Sequence, residues 1–336
     1  MTNPYVFIVG CPRSGTTLLQ RMVNAHPQIA ITKESQWFDK RWITEWFEER
    51  RGLTSDGRLT SELIIRMLDH PKFARLKISK EQFLALAPTG QRVGYASFVT
   101  RLFNLYGKAQ GKALVGNKTP AYVRKLDLLH SLWPKARFVH LIRDGRDVCL
   151  SVVKWSKRPI MKESFVTSKD DPVSTAALWW ASHIRLGQEA GNRLGPQLYH
   201  EARYEALIAH PQEKCAGLCA FLGLPYDDAM LVFHRGRTRT DPSLDAKRAW
   251  LPVTVGLRDW RSQMPDEDVQ RFEAAAGGLL DELGYARAVL RLRPESLEHA
   301  SRIRGLLSRD LNWIDRFGKS PTTDEPEAVS YVDAPC

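Results

Sequence analysis

The sequence lacks a long hydrophobic run. No stretch of its 336 residues approaches the roughly 20 apolar residues that a membrane-spanning helix needs. The N-terminal residues 1–4 carry no basic stretch, and the apolar run 5–9 is too short for a secretory signal. We therefore expect a cytoplasmic protein without a membrane span.

Cysteine is scarce and odd in number, with five residues in the whole chain. A disulfide framework is not expected from such a pattern in a chain of this length. Cys215 and Cys219 are four residues apart in an apolar helical pattern, which predicts two core residues on one helix face. A zinc site would need two further ligands nearby, and the sequence offers none, so we predict no metal.

Acidic residues are outnumbered by basic ones. Lys and Arg total 49 against 38 Asp and Glu, which gives a net charge of +11. This balance favours an anionic partner, which can be a phosphorylated small molecule, a nucleic acid or an acidic membrane surface. Residues 319–336 contain four acidic residues, one Lys and few large apolar groups, so we predict a disordered tail with a charge of −3. The rest of the chain then carries about +14.

Apolar runs alternate with helical patterns along most of the chain. The apolar run at 5–9 predicts a fully buried strand, and residues 113–116, 137–142 and 197–203 predict three further strands. Helical spacing is found at 16–26, 122–133, 148–155, 174–193 and 204–222. Such alternation predicts a three-layer α/β sandwich, a doubly wound and mostly parallel sheet with helices on both faces.

Residues 40–110 have a helical pattern without a clear strand, and they are rich in aromatic residues. We interpret them as a helical insertion within a single domain of residues 1–318. The insertion either helps to cover an active site or packs as ordinary helices. The polar, proline-containing residues 157–171 predict a surface loop.

A phosphate-binding loop follows the first predicted strand, at Gly10-Cys-Pro-Arg-Ser-Gly-Thr-Thr17. The backbone N–H groups of such a loop and of the helix that follows point at an anion. Compared with the pattern G-x-x-x-x-G-K-[ST], Gly10, Gly15 and Thr17 match, but Thr16 occupies the Lys position. A nucleotide kinase needs that Lys, so the loop suits a phosphate ligand better than γ-phosphoryl transfer.

Three further motifs follow the loop at 11–17. They are the element Asn117-Lys-Thr-Pro120, the strand that ends before Arg143 with Ser151 eight residues later, and the segment 202–211 followed by 221–225. These four motifs, in this order, resemble those of sulfotransferases that use 3′-phosphoadenosine-5′-phosphosulfate (PAPS). The most similar branch is the tyrosylprotein-sulfotransferase-like one with its bacterial relatives, and the resemblance covers roughly residues 4–285.

The resemblance implies a set of donor-binding residues. Residues Ser14, Gly15, Thr16 and Thr17 would hold the 5′-phosphate. Arg13 would meet the sulfuryl group or the bridging oxygen.

The resemblance assigns the other phosphate and the base of the nucleotide to a second set. Arg143 and Ser151 would bind the 3′-phosphate, because Arg offers a charged fork and Ser a hydroxyl donor. Tyr204 would meet the adenine, although the alternative of a buried aromatic at the sheet edge stays open. Asp144 and Arg146 lie near Arg143 in the sequence, but they could equally form a solvated turn, so we do not count them among the donor-binding residues.

Two residues of the resemblance carry the chemistry. Glu34 would be the catalytic base that takes the proton of the acceptor hydroxyl, and Lys118 would contact the sulfate. Cytosolic steroid and phenol sulfotransferases use a His instead. Here His130, His140 and His183 lie outside any matching motif, and we expect His140 to be a packed core residue.

The chain departs from the family pattern near residue 252. Tyrosylprotein enzymes carry a cofactor-contacting Lys before a Pro-Val, and Leu251 stands at that place. That contact is either missing or supplied by Lys247, Arg248 or Arg258.

These observations together predict an enzyme of EC 2.8.2 type. It would transfer the sulfuryl group of PAPS to a hydroxyl of a small molecule, a lipid or a glycoside, with PAP as product and no metal. The alternatives are a small-molecule kinase, which the Thr at 16 disfavours, and a non-catalytic binder of nucleic acid or an anionic surface. The sequence has no base-stacking motif and no Arg-rich arm, so no nucleic-acid partner is expected.

Overall fold

Five strands of the described residues form one sheet in which every pair is parallel. A computed structural model describes residues 5–34, 54, 59–69, 73–88, 93–156, 165–235, 251–254 and 258–318. The strand order is β2-β3-β1-β4-β5. The strands are β1 (Val6–Gly10), β2 (Ile29–Thr32), β3 (Leu114–Lys118), β4 (Arg137–Ile142) and β5 (Tyr199–Arg203).

Helices account for most of the other described residues. They are α1 (Thr16–Ala25), α2 (Ser61–Asp69), α3 (Lys80–Leu84), α4 (Tyr95–Lys108), α5 (Leu126–Leu132), α6 (Gly145–Ser156), α7 (Pro172–Leu194), α8 (Tyr204–Ala209), α9 (Pro211–Phe221), α10 (Trp260–Gln263), α11 (Asp266–Glu282), α12 (Pro294–Leu307) and α13 (Leu311–Phe317). Short 3-10 turns cover Phe73–Leu76, Pro120–Lys125 and Asp228–Met230.

The sheet belongs to a compact unit formed by residues 1–142 and 187–255. Successive side chains of β1 point to opposite faces, so this fully buried strand contributes to two cores. Phe7 and Val9 pack in a core with α2, α3, α4 and α5, and Val6 and Ile8 pack in another with α1, α8 and α9. Helices therefore cover both faces of a parallel sheet, which confirms the predicted fold class.

Three predicted elements differ from the observed ones. The strand β2 was not predicted, because it has only four residues and begins two residues after Pro27. The helix predicted at 122–133 is a 3-10 turn followed by α5. The single helix predicted at 204–222 is two helices, because Pro211 starts a new one: proline suits the first turn of a helix and not its interior.

A second compact unit comprises residues 143–186 and 256–336. Aromatic contacts build its core, with Trp180 against Phe272 and Phe165 against Trp313. The surface loop predicted at 157–171 is a loop in its described part, 165–171, and Val166 is exposed there, but Phe165 and Asp171 are buried. Asp171 caps α7 by accepting hydrogen bonds from two backbone N–H groups.

The structure confirms some of the other predictions and leaves others untested. Cys215 and Cys219 are buried on α9, which confirms them as core residues, and the described part of 40–110 is helical. Residues 319–336 lie outside the described part. Among the described helices, none combines the length and apolarity that crossing a membrane requires. A single domain over 1–318 with an insertion over the acceptor site stays a prediction.

Candidate active site

The loop between β1 and α1 is held in a conformation that ordinary residues rarely adopt. Gly10 has φ 147° and a Cβ there would lie 2.5 Å from the carbonyl oxygen of Leu141, so only glycine fits. Arg13 and Gly15 follow with φ 80° and 93°, in the left-handed region. Gly15 is the N-cap of α1, so the loop ends at the positive end of that helix. This geometry matches the predicted anion site.

The side chains of the loop also fit an anionic ligand. Ser14 is fully buried, and its Oγ has no hydrogen-bond partner among the residues that the structure describes. Such a hydroxyl is costly unless a ligand or water satisfies it. Thr16 is buried beside it, and Thr17 Oγ1 lies 3.3 Å from the Nζ of Lys118. The loop therefore offers hydroxyl and backbone donors and Lys118 of β3 adds an ammonium group, a donor set that suits the phosphosulfate of PAPS.

The burial of Cys11 excludes it as a nucleophile of this loop. Its thiol is fully buried, and burial raises the pKa of Cys11 well above its ordinary value, although the Arg124 charge acts in the opposite direction. A thiol held neutral is a poor nucleophile. The chemistry of the site must therefore come from other side chains.

Glu34 and Lys118 form an ion pair next to the loop. Lys118 is the last residue of β3, and its Nζ lies 2.6 Å from Glu34 Oε1, while the same Nζ donates to Thr17. The Lys118 side chain is 4% exposed and that of Glu34 is 30% exposed. The structure thus brings together three residues predicted for the site, a carboxylate, a cation and a loop hydroxyl, although 84 residues separate Glu34 from Lys118.

Tyr204 is adjacent to the loop from another side. It is the first residue of α8, directly after β5, and it is buried. A Cβ on Gly15 would lie 2.5 Å from the Tyr204 ring, so the ring packs directly on that glycine. The alternative interpretation of Tyr204, a buried aromatic at the sheet edge, agrees with its place in the core, and the adenine contact stays a prediction.

Arg143 and Ser151 belong to the second unit. Arg143 follows the last residue of β4 and donates from Nη2 to Asp147 Oδ2 at 2.8 Å. Ser151 is buried two turns further along α6. Asp147 also accepts from the backbone N–H of Trp260 at 2.9 Å. Burial raises the pKa of the Asp147 carboxyl, and the Arg143 charge opposes that rise.

Arg146 is not in a solvated turn, and that alternative is wrong. The side chain is completely buried, and it donates to both carboxylate oxygens of Asp144 and to Glu273. Its guanidinium stacks 3.7 Å above the ring of Trp260, whose Nε1 donates to Asp144. A charged triplet at this depth is stable only because its hydrogen bonds are satisfied. Its partner Glu273 is 127 residues away, which no local pattern reveals.

Some predicted residues lie beyond the described ranges or outside the site. Lys247 and Arg248 are not in the described part, so the replacement for the missing family Lys stays open, and Arg258 is half-buried. His140 is fully buried in β4 and its Nδ1 lies 2.6 Å from the Tyr199 hydroxyl, which confirms it as a core residue. Within the described ranges, no group of three or more His, Cys, Asp or Glu residues is arranged to hold a metal ion.

Comparisons with known proteins show the family to which the chain is similar. A family model described as "Sulfotransferase family" matches residues 4–228. The chain is 29% identical over 338 residues to the nodulation protein NoeE of Sinorhizobium fredii, covering 94% of this chain and 70% of that protein. It is 25% identical over 301 residues to protein-tyrosine sulfotransferase A of Caenorhabditis elegans, covering 84% and 68%.

A solved structure supports the same fold. The sulfotransferase domain of the olefin synthase from Synechococcus PCC 7002 aligns with a TM-score of 0.53 at 21% identity. The alignment covers 90% of this chain and 94% of that domain.

Proposed function

The chain belongs to the sulfotransferase family, and on that premise we propose that its acceptor is the hydroxyl group of a small molecule, a lipid or a glycoside. It is an enzyme of EC 2.8.2 type, and its sulfuryl donor is PAPS. When bound, PAPS supplies a sulfuryl group whose bond to the 5′-phosphate oxygen breaks as a new bond forms to the acceptor oxygen. The roles of the residues below are part of the proposal.

The loop residues bind and orient the 5′ end of the donor. The backbone N–H groups and hydroxyls of residues 14–17 hold the 5′-phosphate at the positive end of α1. Arg13 faces the sulfuryl or bridging oxygen and offsets the negative charge that develops there. The buried Oγ of Ser14 supports this proposal, because an anion would satisfy it.

Glu34 is the base of the proposed reaction. Its carboxylate accepts the proton of the acceptor hydroxyl while that oxygen attacks. Lys118 compensates the charge of the transferred group, and its contact with Thr17 ties it to the loop. The observation that supports this pair of roles is the contact of Lys118 with both Glu34 and the loop, because sulfuryl transfer needs a base and a cation close to the bound phosphosulfate.

Other residues bind the 3′-phosphate and the adenine of the donor. Arg143 and Ser151 bind the 3′-phosphate, for which a buried guanidinium and a hydroxyl are suitable donors. Tyr204 contacts the adenine.

A protein tyrosine is the second candidate acceptor. It is favoured by the C. elegans relative, whose name gives a protein tyrosine as the acceptor. The same base and cation would serve a phenol as well as an alcohol, so the site chemistry does not separate the two. The distinction must come from the acceptor itself.

A screen with radiolabelled PAPS tests both candidates. The purified protein is offered an alkyl glucoside, a hydroxylated lipid, 4-nitrophenol and a tyrosine-containing acidic peptide, each without metal. We expect label in the glucoside or the lipid, and label confined to the peptide would replace the proposed acceptor with a protein tyrosine. PAP should raise the thermal midpoint without Mg²⁺. No shift at saturating PAP, together with Mg²⁺-dependent ATP turnover, would favour the kinase instead.

A further inference from the structure

Asn117 is next to both residues proposed to carry the chemistry, since it precedes Lys118 in the chain and its side chain contacts Lys33, the neighbour of Glu34. None of the assigned roles uses it. It is the residue before Lys118 in β3, and it is completely buried. It is also the last residue of β3 that pairs with β2, opposite Thr32. Two residues after that pair, the chain reaches Glu34. A polar side chain in this fully buried strand needs hydrogen bonds, and their partners indicate what it does.

The Asn117 amide bridges the exits of both strands. Its Nδ2 donates to Thr32 Oγ1 at 2.6 Å and to the backbone carbonyl of Lys33 at 3.3 Å. Its Oδ1 accepts from Thr119 Oγ1 at 2.9 Å. The Lys33 contact fixes which end of the amide is the donor, because a backbone carbonyl oxygen can only accept and so must face the NH2 group. The amide therefore contacts the residue before Glu34 while its own backbone carries Lys118.

We propose that Asn117 is a positioning residue that sets the separation of Glu34 and Lys118. This inference rests on the proposed function, in which those two side chains act as base and cation. The strand β2 lies at the edge of the sheet, so its backbone is paired on one side within the described sheet. The backbone pairing of β2 with β3 ends at Thr32 and Asn117. After that pair, the hydrogen bonds of the Asn117 side chain take the place of backbone pairing and fix the direction in which the chain continues toward Glu34.

Other contacts keep β2 in place without Asn117. Gln20 of α1 donates to the Ile31 carbonyl at 3.0 Å, and Asn24 accepts from the Ile31 N–H at 2.8 Å. The parallel ladder with β3 covers Ile29–Thr32. A variant at 117 should therefore fold, while the residues after Thr32 lose the hydrogen bond that fixes their backbone. The misplacement of a catalytic group by about 1 Å can cost up to about 100-fold in rate.

Crystal structures and turnover of Asn117→Ala test the proposal. We expect the distance from Glu34 Oε1 to Lys118 Nζ to exceed about 4 Å or to split between conformers, since the pair then falls outside ion-pair range. We expect kcat to fall about 10- to 100-fold with the acceptor found by the labelled-PAPS screen, while the dissociation constant of PAP changes less than about 3-fold. An unchanged distance, or an unchanged kcat, would overturn the proposal.

A matched set of threonine variants separates positioning from general stability. Thr32→Val removes the hydroxyl that Asn117 contacts and should lower kcat in the same direction, whereas Thr32→Ser keeps it and should restore most of the rate. Thr100→Val is the control, because it removes an equivalent hydroxyl that accepts from Trp133 Nε1 at 3.0 Å. The control should lose stability without losing kcat. Equal kcat losses in Thr32→Val and Thr100→Val would contradict a positioning role.

The failure of this inference can be told from the failure of the proposed function. If Glu34→Gln keeps its turnover, Glu34 is not the base, whatever Asn117 does. If Glu34→Gln loses turnover and Asn117→Ala keeps it, the base stands and the positioning role falls. If both roles hold, adding Asn117→Ala to Glu34→Gln should cause little further loss, because a group that acts through the base has nothing left to position.

Discussion

Two carboxylate–cation groups in this protein have similar chemistry and different surroundings. In the first unit, Lys118 and the partly exposed Glu34 form what we term the site pair. In the second unit, Arg146, Asp144 and Glu273 form what we term the buried cluster. Glu273 accepts from Arg146 and from the backbone N–H groups of Ala288 and Val289.

The difference lies in what each carboxylate has left to do. Both oxygens of Glu273 already serve hydrogen bonds inside the protein, and water cannot reach them, so this carboxylate can only hold the fold together. Glu34 keeps about a third of its side-chain surface exposed beside the proposed phosphate loop, so a substrate can reach it. Accessibility, more than charge, therefore separates the carboxylate proposed as the base from the structural one.

The strongest test of this comparison removes the centre of the buried cluster. Arg146→Met leaves Asp144 and Glu273 without their cation, so we expect the free energy of unfolding to fall by about 3–5 kcal/mol. Urea unfolding measures this loss. Arg193→Met is the control, because its ion pair with Asp127 is exposed, with side chains 58% and 65% accessible, and should change stability little. Equal losses in the two variants would show that burial does not distinguish them.

The second test removes the charge of the site pair. Glu34→Gln keeps the shape of the side chain but cannot accept a proton, so we expect kcat to fall about 100-fold or more. Stability to urea and the affinity for PAP should stay close to those of the wild type. Turnover near the wild-type level would remove Glu34 as the base, and a large loss of stability would place it with the structural carboxylates.

The third test concerns Arg143, a buried cation between β4 and α6 that precedes Asp144 of the buried cluster. Arg143→Ala should weaken PAP binding by about 30-fold, since a hydrogen bond to a charged group contributes about 2 kcal/mol. Isothermal titration calorimetry with PAP measures the change, and Arg193→Ala serves as the control. Unchanged affinity would refute the 3′-phosphate role and assign Arg143 to structure alone.

The smallest expected effect is the pH dependence of stability that comes from His140, a buried base that stays neutral in the folded protein. Burial, and then the Arg203 charge, lower the pKa of His140 to about 3, so the unfolded chain takes up a proton first as the pH falls below about 6.5. Stability is then lost between about pH 6.5 and about pH 3.

The His140→Gln variant removes this titration. Between about pH 7 and about pH 5.5 the wild type should lose about 1 kcal/mol more unfolding free energy than this variant. Urea unfolding at both pH values measures the difference. Parallel pH profiles for the two proteins would show that His140 is not neutral in the fold.

The sequence sufficed for features whose residues are neighbours along the chain. The loop from Gly10 to Thr17, its strand and its helix form one continuous pattern, and so do Arg143 and Ser151 on one strand and helix. A phosphate-binding turn is defined by local backbone geometry, and glycines and small residues in the sequence indicate that geometry. The fold class followed from the same alternation of strands and helices.

Features that depend on distant partners could not be predicted. The site pair joins residues 84 apart, so only the family resemblance suggested both of its members. Arg146 looked like a surface residue because charged side chains are seldom buried, and its partner Glu273 is far along the chain. Asn117 belongs to the motif at 117–120, and the signal that could have identified its role is a polar residue at the end of an apolar strand.

The contact between Gly15 and Tyr204 has a consequence for how this loop can change over generations of mutation. An alanine at 15 would collide with the Tyr204 ring, and at φ 93° its backbone would also be strained. A smaller side chain at 204 would remove the collision and leave the strain. The steric clash and the backbone strain each disfavour a side chain at position 15. We therefore expect that no single compensating substitution allows one there, and that the loop can be redesigned only together with its neighbours.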